Sequence, residues 1–545
     1  MTPTGADLFG RYLRYDELRA ALDHLASLRP GWMAVEALTS TPEGRELVAV
    51  TVTDPRTGPA SEKPAFYVDA NIHARELPGG PVCLRLLHEL LSGAERPEIA
   101  ALLADNAFYV IPRVAVDGVE ALLTGRAFVR SAPRPWPDEE PPEGLVPQDM
   151  DGDGEVRQMR IPDPAGGWMV DPRDARLMVP RPMDAALGPF YRLLPEGAFV
   201  AGDPRLFQSA REPNGLDFNR NFPAFWKVEK EQRGAGPHPL SEPETLALAR
   251  FITSHPNICG LQALHTGIEV IIPPEGVTPY SKFSEGDRAW FEALGARGED
   301  ILGMPFASIM AHGYPDCAGD FGEWAFSHRG IPGLVVELWS LPGRAGVKIA
   351  DHLAAWAAHP HRWADIELKC LQWADEHLGH EAFAPWRAVE HPQLGTVEIG
   401  GWQRGLWSAP PPGPHLDDLS ERAVRYLLTH AAASPRLRLP VVECRRVAAD
   451  LFVLSAFVEN AGHLPTWLTE HGRGKDLIPP IRAWLDLPEG ARLEVGRPRV
   501  EVGQLGGRGK RAQVDWLVRG DEGATVTLSV AAEKGGTVRA EIVLG

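Results

Sequence analysis

The sequence predicts an α/β fold, a mixed and twisted sheet flanked by helices, followed by an all-β sandwich. Two features of the pattern carry that reading. Strand-like and helix-like periods alternate through the first 130 residues and again from 241 to 378, the rhythm of a sheet whose strands are joined by covering helices. After about residue 385 the segments become short, β-branched and turn-bounded, the texture of a sandwich. The expected division is 1–384, with a long insertion at 131–213, and an Ig-like unit at 385–545.

Taken in order, Tyr15 to Leu28 carries Leu18, Ala21, Leu22 and Leu25 at helical spacing, and Pro30-Gly31 stops it. Glu46 to Val52 reads as a strand, as does Ala65 to Ile72, where Phe66, Val68 and Ala70 alternate with other residues. Pro81 to Leu91 puts Val82, Leu86 and Leu90 on one helical face, and Asn106 to Pro112 is a short apolar strand. From Ser131 to Pro213 the chain is rich in Pro, Gly and Arg with little periodicity, and so long a structureless stretch is usually functional or inserted. Ser241-Glu242-Pro243-Glu244 reads as a capping box opening a helix to about Ser254. Strands follow at Ile258 to Leu264 and Gly333 to Leu338, then one helix from Ala350 to Leu378. In the last part, a helix at Leu419 to Ala432 precedes strands at Leu451 to Val458, Arg492 to Val502, Ala512 to Val518, Ala524 to Ala531 and Thr537 to Leu544.

Composition narrows the function classes. A formal net charge of −18 with scattered basic residues argues against nucleic acid or an anionic membrane as partner. No run of ~18 apolar residues offers a spanning helix. The first residues lack a basic segment followed by an apolar one, and the five cysteines are far apart with no C-x-x-C. A cytoplasmic location with free thiols is therefore expected.

Three chemically competent positions fall at the ends of expected strands. His73-Ala74-Arg75-Glu76 lies just past Ile72 and ahead of Pro78-Gly79-Gly80, His265 ends one apolar strand, and Glu337 ends another. Sites in open α/β sheets form at the carboxyl ends of strands. Two histidines and one carboxylate leave a zinc ion one open position for water, the hydrolytic arrangement. Glu337, being expected inside, needs a partner or a task. In Asn214 to Pro223, Asn219 and Arg220 offer donors suited to a carboxylate.

In this order the pieces resemble the zinc carboxypeptidases of the M14 (carboxypeptidase A-like, funnelin) family, over residues 10 to about 380. The resemblance takes in Tyr15-Asp16-Glu17-Leu18, Glu43-Gly44-Arg45, His73-Ala74-Arg75-Glu76, Asp217-Phe218-Asn219-Arg220-Asn221-Phe222, Ser241-Glu242-Pro243-Glu244, His265 and Glu337. Trp324, in the pair Glu323-Trp324, lies thirteen residues before Glu337, as in the family. The resemblance implies an eight-stranded mixed sheet and hydrolysis of the C-terminal peptide bond of peptides with a free C-terminus. It implies one zinc ion on His73, Glu76 and His265, a zinc-bound water as nucleophile and Glu337 as general base. It further implies that Asn219 and Arg220 hold the terminal carboxylate, that Arg75 contacts the peptide upstream of the scissile bond, and that Tyr314 caps the substrate. Arg130, with Arg126 as the alternative, corresponds to the arginine that stabilises the oxyanion.

The chain departs from that pattern in the long 131–213 insertion and in Gly322, an uncharged residue near the expected floor of the side-chain pocket, with Asp320 and Glu323 nearby. Inside the insertion, Asp149, Asp151 and Asp153 followed by Gly154 match the first half of a calcium loop, though the twelfth position is Arg160 instead of a bidentate acid. An acid from elsewhere would have to complete a structural calcium shell. Two other functions fit parts of the pattern. One is an amidohydrolase of acylated amino acids or cell-wall peptides, its substrate selected by the insertion. The other is a binding protein in which the catalytic region is inactive and the sandwich recognises the partner.

Overall fold

The computed structural model describes residues 5–125, 129–137, 143–185, 187–210, 214–358 and 360–545. Its centre is a sheet with seven strands among the described residues, one fewer than the family pattern implies, in the order Met33–Ser40, Glu46–Val52, Ala107–Ile111, Ala65–Ala70, Ile258–His265, Gly333–Glu337 and Val270–Ile272. The four strands from Ala107–Ile111 to Gly333–Glu337 run parallel, and the outer pairings are antiparallel. Parallel strands buried on both faces must be covered twice. Phe66, Val68 and Ala70 therefore face one apolar layer with the helices Tyr15–Leu28, Gly79–Ser92, Glu285–Leu302 and Pro414–Ala431. Ala65 and Tyr67 face the other, with Pro243–Ser254, Phe321–Arg329 and the 216–224 segment. Phe66 and Phe108 have no exposed surface, and such rings each contribute roughly 1.5–3 kcal/mol by burial.

The structure corrects several expectations. Pro360 starts a new helix, so the expected single helix is two, Ile349–Ala358 and Pro360–His377. Ser241 to Glu244 does not close as a capping box. Glu242 is the N-cap residue with Pro243 at the first helical position, and the Glu244 carboxylate accepts from Arg134 Nη1 at 3.1 Å instead. Arg492 to Val502 is split between Arg492–Val495 and Arg499–Gly503, which lie in different sheets.

The insertion is not structureless. Gly144–Pro147 pairs with Gly197–Ala201, while Gln158–Pro162, Phe190–Pro195, Trp168–Val170 and Met178–Pro180 continue a six-stranded sheet that starts with Phe383–His391 and Gly395–Trp402. Strands of three to six residues show too few alternations to be read as a period of two. That sheet also moves the division expected at 384/385. Residues 383–402 pair with the insertion, and Leu419, Tyr426 and Leu427 of Pro414–Ala431 pack into the core of the first unit. The sandwich proper begins at Leu437 and comprises two four-stranded sheets around Phe452, Leu454, Trp516, Val526 and Leu528.

The sandwich is docked by buried polar contacts. Lys534, 2% exposed, donates from Nζ to the Ile258 carbonyl at 3.0 Å, and Asp287 accepts the Glu470 and His471 amides at 2.7 and 3.0 Å. All five cysteines are unpaired. No helix among the described residues is long and apolar enough to cross a membrane.

Candidate active site

The site forms where three parallel strands end. Beyond Ala70, Asn71 takes a left-handed conformation (φ 57°), which asparagine tolerates better than other residues with side chains, and its Nδ2 donates to the Glu76 carbonyl at 2.7 Å. The turn thus folds back before the Gly79–Ser92 helix. A Cβ on Gly79 would lie 2.7 Å from that of Ala70, so glycine lets the helix start close against the strand. His73 and Glu76 emerge on the same side, His73 Nδ1 2.7 Å from Glu76 Oε1. His265, ending the next strand, brings its Nδ1 to 3.0 Å from Glu76 Oε2.

These three side chains are buried, the two imidazole centroids are 5.0 Å apart, and one ligand atom from each lies within 4.8 Å of the others. Burial works against charge on Glu76, but the two imidazoles more than reverse this and hold its carboxyl well below the usual range. Burial likewise disfavours charge on His265, and Glu76 overrides it, carrying the imidazole up to about 9. Two nitrogens and a carboxylate aimed at one point are a donor set that zinc takes in hydrolytic centres. The residues present fit that ion.

Behind His73 stands Asp217, its Oδ1 3.0 Å from His73 Nε2. A carboxylate there favours the proton on Nε2, which would leave the Nδ1 lone pair for a metal ion shared with Glu76, the usual support for a metal-ligating histidine. Asp217 is buried, yet Arg130 and His73 hold its carboxyl well below the normal range. Asp217 heads the Asp217-to-Phe222 run, and the sequence alone gives it no role. The signal was there: an acid heading a run whose Asn and Arg were already candidates.

Glu337 pairs with His265 across the parallel register. Its Oε2 is buried and has no hydrogen-bond partner among the described residues, and burial together with the charge of Glu76 pushes the carboxyl up to about 7. An orphaned carboxylate oxygen is costly and in a native protein calls for an explanation.

The remaining expected residues surround this centre. Arg130 donates from Nε to Asp217 Oδ2 at 2.9 Å and from Nη1 to Glu76 Oε1 at 3.3 Å. Its alternative, Arg126, lies outside the described residues. Arg220 donates from Nη1 to the Asn219 carbonyl at 2.8 Å, and the Asp217 charge outweighs burial to strengthen its hold on its proton. Asn219 is less open than the resemblance implies. Its Nδ2 donates to Asp320 Oδ2 at 2.7 Å and its Oδ1 accepts the Phe321 amide at 2.9 Å, so most of the side chain ties down the start of Phe321–Arg329. Tyr314 is half-buried; burial and nearby Cys317 push its phenol up to about 12, within the fields of Arg220, Glu337 and Arg130. Arg75 is exposed, and its carbonyl accepts from Ser408 Oγ at 3.2 Å. Glu323, near the expected pocket floor, spends its carboxylate on the Val277 and Thr278 amides at 2.7 and 2.9 Å.

In the insertion, the Asp149, Asp151 and Asp153 carboxylates also converge within 4.8 Å. They are occupied by their own loop: Asp149 accepts the Gly152 and Gly154 amides, and Asp153 accepts the Glu155 amide and Arg157 Nε. Arg160 turns to Glu398 at 2.8 Å. Buried Glu196 also lies against this loop, its oxygens taking the Met150 and Arg157 amides at 2.5 and 2.8 Å.

Residues 18–142 and 196–339 match the zinc carboxypeptidase family, and residues 436–543 match a domain of unknown function, DUF8731. The chain is 39% identical over 134 residues to the uncharacterized protein YqgT of Bacillus subtilis (strain 168), covering 23% of this chain and 32% of that one. It is 28% identical over 134 residues to zinc carboxypeptidase A 1 of Drosophila melanogaster, covering 24% and 31%. The matched stretch thus spans about a third of the length of either relative. The solved carboxypeptidase A of Helicoverpa armigera aligns with a TM-score of 0.40 at 15% identity, over 69% of this chain and 75% of that one.

Proposed function

We propose that this chain, which belongs to the zinc carboxypeptidase family M14, is a metallocarboxypeptidase that removes the C-terminal residue of peptides. One observation carries the reading: His73, Glu76 and His265 converge on a point at the strand ends, beside a buried Glu337 oxygen that has no hydrogen-bond partner among the described residues. A zinc ion held by those three would supply a Lewis acid and acidify a water to a pKa of ~7.

The protein's own groups do the rest. Glu337 Oε2 takes the proton of the attacking water and delivers it to the leaving amine nitrogen. Asp217 keeps His73 in the ligating tautomer. Arg130, drawn forward from Asp217 and Glu76, opposes negative charge on the reacting carbonyl oxygen, a task commonly worth ~3–4 kcal/mol per donor. Arg220 holds the substrate carboxylate, with the remaining Asn219 amide hydrogen beside it, and so restricts the enzyme to chain ends. Arg75 and Tyr314 contact the peptide on either side of the bond. Gly322, at the expected floor of the side-chain pocket, carries no charge that would select a charged terminal residue.

The test is release of a free amino acid from N-blocked dipeptides. The free-acid substrates are cleaved, their amidated forms only slowly, chelation abolishes turnover and added zinc restores it. Preferential cleavage of N-acyl amino acids or γ-glutamyl peptides would move the assignment to an amidohydrolase. No turnover on any of them by zinc-loaded protein would point to a binding protein.

A further inference from the structure

The loop that carries Tyr314 hangs from a single dipeptide outside the reacting centre. Glu275 follows the edge strand Val270–Ile272 and is 8% exposed. Its Oε2 accepts Ser308 Oγ at 2.7 Å and the Tyr280 amide at 3.3 Å, and its Oε1 accepts the Met310 amide at 3.1 Å. Ser308 Oγ in turn accepts the Ala311 amide at 3.1 Å, and the short turn Met310–His312 closes with the Tyr314 amide donating to the Ile309 carbonyl at 3.1 Å. A continuous run of hydrogen bonds therefore leads from the Glu275 carboxylate to the Tyr314 backbone.

The second stem is held next door. The Cys317 amide donates to the Gly276 carbonyl at 2.9 Å. Gly276 has no room to be anything else: a Cβ would lie 2.5 Å from Glu323 Oε2 and 3.1 Å from the Cys317 carbonyl oxygen. Glu323 grips the following amides of Val277 and Thr278 from the helix that Asp320 caps. Between the two stems, residues 311–313, 315 and 316 are exposed and only Tyr314 turns inward, against the cluster of Ile268, Val270, Ile272 and Leu353. The reaction described above does not use Glu275, yet its buried carboxylate takes two backbone amides, of Tyr280 and Met310, and the Ser308 hydroxyl from the surrounding loops.

We infer that Glu275 is a positioning residue, the anchor that holds the 308–317 loop in place and sets Tyr314 at the mouth of the site. The functional half of the inference rests on the proposed role of Tyr314; the anchoring half does not. A carboxylate with both oxygens accepting is irreplaceable here in a defined way. Glutamine keeps the size and one carbonyl acceptor but presents its amide nitrogen to one of the present donors, and alanine removes both acceptors.

The experiment uses the zinc-loaded full chain. Hydrogen exchange is followed for amides 309–317 and for the Ile258–His265 strand, with KM and kcat measured on one C-terminally free peptide. In Glu275→Ala the loop amides exchange about tenfold faster or more while the strand is unchanged. KM rises about tenfold with kcat within about threefold and zinc content constant, and Glu275→Gln falls between wild type and alanine. Adding Tyr314→Phe to Glu275→Ala produces little further rise in KM, because both changes remove the same contact. Unchanged loop exchange in both Glu275 variants overturns the inference, as does an effect on KM fully additive with that of Tyr314→Phe. If exchange rises but Tyr314→Phe by itself leaves KM untouched, the anchor stands and the substrate role of Tyr314 falls. Should the alanine variant fail to fold, the glutamine variant decides the same questions.

Discussion

Glu337→Gln retains one zinc per chain and loses peptide hydrolysis by about 10²–10⁴-fold in kcat, the range a positioned general base supplies. The substitution changes almost nothing except the ability to take a proton. Glutamine has the same shape, and the Oε2 position it alters has no hydrogen-bond partner to lose. Glu337 stands near Glu76, whose charge helps push its carboxyl up to about 7. Removing a like charge from that buried position relieves the repulsion, so in the metal-free state the variant melts no lower than the wild type. Greater stability together with lost turnover is the signature of a residue kept for its chemistry. Near-normal turnover would remove Glu337 from the reaction, and a loss of zinc would make it a ligand instead of a base.

Arg220→Ala lowers kcat/KM on free-acid substrates by about 10²-fold or more, the loss expected when two charge-assisted hydrogen bonds to a carboxylate disappear. The already slow cleavage of amidated substrates changes little. The fold tolerates the change because Asp217, the acid nearest in effect to Arg220, still has Arg130 and His73. Arg220→Lys keeps the charge without the fork and recovers only part of the activity. Equal losses on free and blocked substrates would show that Arg220 supports the site's structure and does not read the chain end.

Much of this site could be read from the sequence because its chemistry sits where the pattern changes. His73 to Glu76, His265 and Glu337 each follow an apolar run that ends abruptly, and strand ends are where an open sheet exposes polar groups to a common crevice. Asp217 escaped notice because its task is relational: nothing local says that an acid in an irregular stretch faces the far side of a histidine 144 residues earlier. Asn219 was legible as a motif but not as a structural clamp, since its partner Asp320 is brought to it only by the packing of the Phe321–Arg329 helix. The insertion was opaque for a different reason. Its strands are short and find their partners at 383–402, so the pairing that stabilises them is absent from any local window. The texture change at 385 marked the start of β structure but not the start of a new unit, because the Pro414–Ala431 helix returns to cover the first sheet.

The central claim is that two imidazoles and one carboxylate hold one zinc ion at these strand ends. Zinc X-ray absorption on the purified full chain tests it most directly. The predicted spectrum is one zinc per chain with only nitrogen and oxygen neighbours at ~2.0–2.2 Å, two of them imidazoles, with the second imidazole signal lost in His265→Ala. Sulfur neighbours at ~2.3 Å, or a spectrum indifferent to His265, would place the metal elsewhere and contradict the account.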